Sequence, residues 1–154
     1  MQKRIFYLLF FLFLSSCGYQ AIYSQKSSAN YNFSISELNF IGDREVNLKI
    51  KQRLNNYILN QNDKDFNVKI YSTSIKVIAA KNTSGDATSF KNTVTTNVEV
   101  LINGKLKNSF VITESFNYNN DDNKFSLKRY EREIKNNLAQ TISDKLIFKL
   151  SNIQ

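Results

Sequence analysis

Histidine, proline and tryptophan are all missing from this chain, and cysteine occurs once, as Cys17. Without histidine, neither a Ser-His-Asp nor a Cys-His catalytic arrangement can form, and histidine-based zinc sites are excluded. The glycines Gly18, Gly42, Gly85 and Gly104 are scattered, so no glycine-rich loop is available to cradle a phosphate. A single thiol leaves no partner for an internal disulfide. The carboxylate pairs Asp121/Asp122 and Glu131/Glu133 fall in a polar loop and early in a helical stretch, where solvated surface charge is the expected role. No catalytic centre, metal site or cofactor is expected. The chain does not read as an enzyme.

Long apolar runs are also absent. The longest, Ile5 to Leu14, is too short for a membrane-spanning helix, which needs about 20 apolar residues. It follows Lys3 and Arg4 and precedes Ser15, Ser16 and Cys17, the layout of a signal peptide with a short positive region and an apolar core. Leu14-Ser15-Ser16-Cys17 resembles a lipobox, in which small residues admit a peptidase and the cysteine thiol accepts a diacylglycerol. The sole cysteine lies where that reading needs it, which favours it over an ordinary secretory signal with a chance cysteine. Residues 1–16 are therefore expected to be removed, with Cys17 as the lipidated first residue of the mature protein. Each buried acyl methylene contributes about 0.8 kcal/mol, so two or three chains anchor a protein to a bilayer almost permanently.

Cleavage after residue 16 leaves 138 of the 154 residues, enough for one domain with a real core. Loss of Lys3 and Arg4 lowers the formal charge from +8 to about +6. On a cytoplasmic protein such a balance would point to nucleic acid. On a lipoprotein outside the cytoplasm, the anions within reach are lipid headgroups and lipopolysaccharide phosphates, and no nucleic-acid partner is expected. A composition rich in Lys, Asn and Ile, as an AT-biased genome produces, accounts for the excess equally well.

Residues 17–32 are polar and aperiodic and read as a flexible tether, with one domain over 33–151. Phe33 to Phe40 alternates as a first strand, with an irregularity near Glu37. Gly42-Asp43 ends it, and Asp43 is placed to cap a helix in which Val46, Ile50, Leu54, Tyr57 and Ile58 recur at helical spacing. Phe66, Val68 and Ile70 alternate in one phase and Ile75, Val77 and Ala79 in the other, which predicts one long strand with a bulge between Ile70 and Ile75. Val94 to Ile102 and Leu106 to Tyr118 alternate around Asn103-Gly104, the dipeptide of a type I′ hairpin turn. Ser126 is the expected cap of a last helix, whose stripe runs Leu127, Tyr130, Ile134, Leu138, Ile142, Leu146 and Leu150, with Arg129, Arg132, Lys135, Lys145 and Lys149 on its outer face. That stripe is expected to pack on the sheet. The predicted fold is an α/β two-layer sandwich in the order β-α-β-β-β-α, with two helices on one face of a roughly four-stranded mixed sheet. The other sheet face need not be dry, and can meet a partner.

A lipobox closing in Cys17-Gly18-Tyr19, a first strand, a Gly42-Asp43-Arg44 helix start, a long hairpin and a C-terminal amphipathic helix together resemble the LPS-assembly lipoprotein LptE family. The likeness covers essentially the whole mature chain, and the order of elements carries it more than any one residue. It implies two helices on a four-stranded sheet, and a role as a plug within the β-barrel protein LptD, in the outer-membrane translocon that delivers lipopolysaccharide to the cell surface. Gly18, where lipoproteins kept in the inner membrane often have Asp, implies sorting to the outer membrane. Ser89-Phe90-Lys91-Asn92 resembles the family's Phe-Arg-Asn segment, whose basic residue is tied to lipopolysaccharide binding. Ser126-Leu127-Lys128 resembles an Ala-Lys segment with a second such residue, and the register leaves Arg129 as the alternative to Lys128. Lys in place of Arg at 91 keeps the charge and loses the bidentate phosphate geometry. An ordinary surface charge remains an equal reading of these lysines. If Lys91 and Lys128 serve one ligand, they should converge at one end of the domain, near Phe90, Phe125 and Leu127. The alternative function is an accessory lipoprotein of another envelope lipid-transport complex, or a periplasm-facing solute-binding module.

Overall fold

The computed structural model describes residues 32–58, 62 and 64–153. The signal peptide, Cys17 and all but the last residue of the expected tether lie outside the described residues. The elements run β1 (Ser34–Gly42), α1 (Arg44–Ile58), β2 (Asp65–Lys81), β3 (Ala87–Ile102), β4 (Lys105–Asn119) and α2 (Lys124–Ser151). The sheet order is β1-β2-β3-β4, with β1 parallel to β2 and the other two pairs antiparallel. This is the predicted two-layer α/β sandwich with a mixed sheet. The parallel pair sits where a helix intervenes, because parallel strands need a crossover connection, while the hairpins need only short turns.

Both helices cover one sheet face. Val46, Ile50 and Leu54 of α1, and Leu127, Ile134, Leu138, Ile142, Leu146 and Leu150 of α2, are buried against Phe66, Val68, Ile70, Val94, Val98, Val100 and Ile112. Tyr57 stacks on the buried Phe33 ring at 4.5 Å, which closes the core at the start of β1. Only Tyr130 leaves the predicted α2 stripe: it is 45% exposed and meets the sheet only edge-on, through Tyr118.

Several local expectations hold in detail. The β1 register shifts between Ile35 and Glu37. The Asp43 carboxylate accepts the Glu45 and Val46 backbone N–H groups at 3.0 and 3.1 Å, which caps α1. Asn103 and Gly104 both have positive φ, 53° and 75°, as a type I′ turn requires.

Four expectations are corrected. There is no bulge between Ile70 and Ile75, since β2 pairs with β3 in continuous register from Asn67 to Ile78. The two phases are the two faces of one regular strand: Phe66, Val68 and Ile70 point at the helices, and Ile75 and Val77 point away, 59% and 48% exposed. The helix-facing positions of the outer half of β2 are instead Ser72, Ser74 and Lys76. The second correction concerns α2, whose cap is Asn123; its side chain accepts from the Phe125 and Ser126 N–H groups. The helix therefore starts earlier than Ser126 would allow, and Lys128 falls in its second turn. Leu106, whose alternation with Phe110, Ile112, Phe116 and Tyr118 predicts one shared face of β4, also leaves that face, because the ladder shifts between Val100 and Leu101, and it is exposed. Finally, Lys135 is not on the outer face of α2. Its ammonium lies between the helices, 2.9 Å from Glu45 and 3.3 Å from Asp43.

Candidate binding clefts beside the start of the last helix

Two clefts flank the first turns of α2. The one on the inner side holds about 370 Å³ and is walled by Ser74 and Lys76 of β2, Asn92 of β3, Tyr118 of β4, Glu45 of α1, and Lys128, Glu131, Arg132 and Lys135 of α2. Sheet residues reach this wall because inward positions of β2 and β3 turn polar there, at Ser74, Lys76 and Asn92, beside the rings of Phe90 and Tyr118. Lys128, Arg132 and Lys135 reach it because spacings of four and three keep them on one stripe of the helix.

The carboxylates of this cleft are already engaged. Glu131 Oε1 pairs with the Lys76 ammonium and accepts the Tyr118 hydroxyl at 2.9 Å. Lys76 also lies 3.9 Å from the centre of the Phe90 ring. Glu45 pairs with Lys135. Burial raises the Tyr118 hydroxyl pKa above its ordinary value, and its hydrogen bond to Glu131 and the charge of that carboxylate add to the shift. For Lys135, burial works against the ammonium, but hydrogen bonds and charges of Glu45 and Asp43 outweigh it and raise its pKa above 10.5. Among the described residues, Lys128 and Arg132 form no ion pair and donate no side-chain hydrogen bond. The cleft thus has two uncompensated cations.

The second cleft, about 760 Å³, lies on the other side of α2 beside β4, one of the two edge strands of the sheet. It is lined by Phe116, Leu127 and Tyr130, by Arg129 and Glu133, and by the loop through Asn120, Asp121 and Asp122. Phe116 and Tyr130 are about half exposed, and Tyr130 meets Tyr118 edge-on at 6.1 Å. One side of the helix start is thus rich in cations, and the other sets aromatic rings beside Arg129 and the carboxylates of Asp121, Asp122 and Glu133.

The candidate residues divide between these surfaces. Lys128 lines the cationic cleft and Arg129 the aromatic one. Lys91 lies at the same end of the domain, in β3 opposite Val77 and Asn117. Its neighbours Phe90 and Asn92 occupy inward positions, so strand alternation turns Lys91 to the face without helices. The sheet therefore stands between Lys91 and Lys128. Phe125 is 77% exposed, and Leu127 is buried. Ser74, Lys76, Asn92 and Arg132 escaped sequence reasoning as site residues. The available signal was the run of polar residues at inward positions of β2 and β3, hidden by placing a bulge there.

The geometry can be set beside known proteins. No protein-family model and no curated protein matches the sequence. Among solved structures, the rare lipoprotein B of Shewanella oneidensis superposes with a TM-score of 0.60 at 12% identity, over 75% of this chain and 93% of that one. A minor lipoprotein of Acinetobacter baumannii matches with a TM-score of 0.58 at 10% identity, over 77% and 92%. A lipoprotein B of Nitrosomonas europaea matches with a TM-score of 0.54 at 11% identity, over 77% and 83%. The fold is that of the rare lipoprotein B structures. At these identities, the likeness concerns the path of the chain and leaves the chemistry of the clefts to be argued from their own residues.

Proposed function

We propose that this protein is an outer-membrane lipoprotein of the LptE kind, anchored through lipid on Cys17, which plugs an LptD-like β-barrel and binds lipopolysaccharide on its way to the cell surface. The role is assembly and binding, with no catalytic step. The observation that carries the reading is the shared fold: the chain superposes on rare lipoprotein B with a TM-score of 0.60 over 93% of that chain.

The clefts support the ligand class. Lipopolysaccharide offers phosphates beside acyl chains, and the start of α2 sets the cations Lys128 and Arg132 on one side and the rings of Phe116 and Tyr130 on the other. The helix-free sheet face supports a partner. Ile75, Val77 and Val111 are each about half exposed there, beside Thr95 and Thr113, whose hydroxyls meet at 3.1 Å. A surface of apolar and hydroxyl side chains with few charges suits burial in an assembly.

Pull-down of the full-length lipoprotein from detergent-solubilised membranes tests the reading. A stoichiometric outer-membrane barrel protein in the eluate is the expected result. An inner-membrane complex, or a soluble small ligand with no barrel, would replace the reading with the accessory-lipoprotein or solute-binding alternative.

A further inference from the structure

We infer that the end of the domain from which the chain leads back to Cys17 is a membrane-docking face, which lays Lys64, Lys105, Lys107, Leu106 and Phe148 on an anionic phospholipid surface. This end is far from the clefts at the start of α2. β1 and β2 both begin there, with Ser34 paired to Asp65. The β3–β4 turn lies alongside, because Asn67 pairs with Leu101 and Ile102 with Lys105. The last turn of α2 joins them: the Lys64 ammonium donates to the Ile153 carbonyl at 3.2 Å. Residues 18–32 separate Cys17 from Phe33 at the start of β1. Fifteen residues reach about 55 Å at most. Lipid on Cys17 therefore holds this end at high effective concentration against the bilayer, where even weak contacts count.

The chemistry of the end suits headgroups. Lys105 and Lys107 are exposed and, among the described residues, form no ion pair and donate no side-chain hydrogen bond. Lys149 adds a third cation nearby, 5.1 Å from the centre of the Phe110 ring. Asp65 is the described carboxylate at this end, and it accepts the Ser34 and Ser36 hydroxyls. Glu99 lies three residues inside the turn. The loops of the opposite end instead carry Asp86, Asp121 and Asp122 together with Lys81 and Lys124. Leu106 is 61% exposed next to the turn, and Phe148 is 59% exposed near the end of α2. Apolar side chains flanked by lysines match the boundary between headgroups and acyl chains, since the apolar groups sink while the ammonium groups stay with the phosphates.

This inference rests on the lipid anchor of the proposed function, and on neither the barrel nor lipopolysaccharide; it concerns the anchored protein outside any barrel. The test places the full-length lipidated protein in nanodiscs of phosphatidylethanolamine and phosphatidylglycerol, or of phosphatidylcholine alone, with a gadolinium chelate on a few headgroups. In the anionic bilayer, the NMR signals of Lys105, Leu106, Lys107 and Phe148 should broaden more than those of Gly85, Asp86, Asp121 and Asp122. The contrast should vanish in phosphatidylcholine, and also at about 0.5 M salt, where the Debye length is about 4 Å. Lys105→Gln with Lys107→Gln should lower the ratio of docked to undocked domain about twenty-five-fold, fivefold for each charge. Leu106→Ser should lower it further. Lys81→Gln with Lys124→Gln removes equal charge at the opposite end and should leave it unchanged. Equal broadening of both ends, or an undiminished contrast in the folded Lys105→Gln, Lys107→Gln protein, would overturn the inference. So would a dimer in neutral detergent that buries Leu106 and Phe148, which would give the face to a second copy. If acylated protein stays in every nanodisc through a high-salt wash but shows no contrast, docking falls and the anchor survives. If the chain carries no lipid and the same end still approaches anionic bilayers, the anchor falls and docking survives.

Discussion

Gly42 and Ser72 are packed so closely that a Cβ on Gly42 would lie 2.0 Å from the Ser72 carbonyl oxygen. Gly42 is the last residue of β1, with φ of +101°, and Ser72 is its partner on β2. The Ser72 carbonyl accepts the Asp43 N–H at 2.9 Å, and its hydroxyl donates to Asn47 Oδ1 of α1 at 2.6 Å. One β2 residue therefore holds the whole corner where strand becomes helix. Gly42→Ala should cost at least about 2 kcal/mol, because positive φ strains an L-residue and the methyl group meets backbone that cannot yield cheaply. Urea unfolding of the domain measures this, and a loss under about 0.5 kcal/mol would mean that the corner relaxes freely.

Leu138 tests the packing of the last helix. It is 8% exposed in the middle of the α2 stripe, so Leu138→Ala should destabilise the domain by about 2–5 kcal/mol in the same measurement. A cost below about 1 kcal/mol would put the stripe in a partner groove and not in the core.

Thr96 should behave in the opposite way. Its hydroxyl is fully buried at the centre of β3, between Ser72 and Ile112, and has no hydrogen-bond partner among the described residues. Thr96→Val replaces an unpaired polar atom with a methyl group of similar shape. The melting temperature should stay level or rise, with a gain of up to about 1 kcal/mol. A clear loss would show that the hydroxyl is satisfied by a buried water.

Tyr118 and Lys135 set an alkaline limit. Both have pKa values raised above their ordinary 10.0 and 10.5, Tyr118 chiefly by burial, and Lys135 by Glu45 and Asp43 against the effect of burial. A group whose pKa is raised by folding stabilises fully below its unfolded pKa and loses that contribution as pH rises through the folded one. Stability should therefore hold to about pH 10 and fall above it. Tyr118→Phe and Lys135→Met should each flatten that fall in urea unfolding followed from about pH 9 to about pH 11.5. A slope unchanged in both variants would assign the alkaline loss to other groups.

The legible part of this protein is the part where a residue's role follows from its near neighbours in the chain. Asp43 caps α1 because its carboxylate reaches N–H groups two and three residues on, and Asn103-Gly104 turns the hairpin because the pair tolerates positive φ. The stripes of α1 and α2 and the alternation of β3 are likewise local periodicities, and from them the element order and the two-layer fold could be read. The cationic cleft could not be. Ser74, Lys76, Asn92 and Arg132 come from three elements, and they meet only because the β2–β3 pairing runs on without a bulge from Asn67 to Ile78, beneath the start of α2. A change of apolar phase along a strand has two explanations: an added residue, or apolar side chains on both faces. Register against the neighbouring strand separates them. The same tertiary fact decided Lys91 and Lys128: the chain could place both near one end of the domain, but only the assembled sheet set a layer of backbone between their side chains.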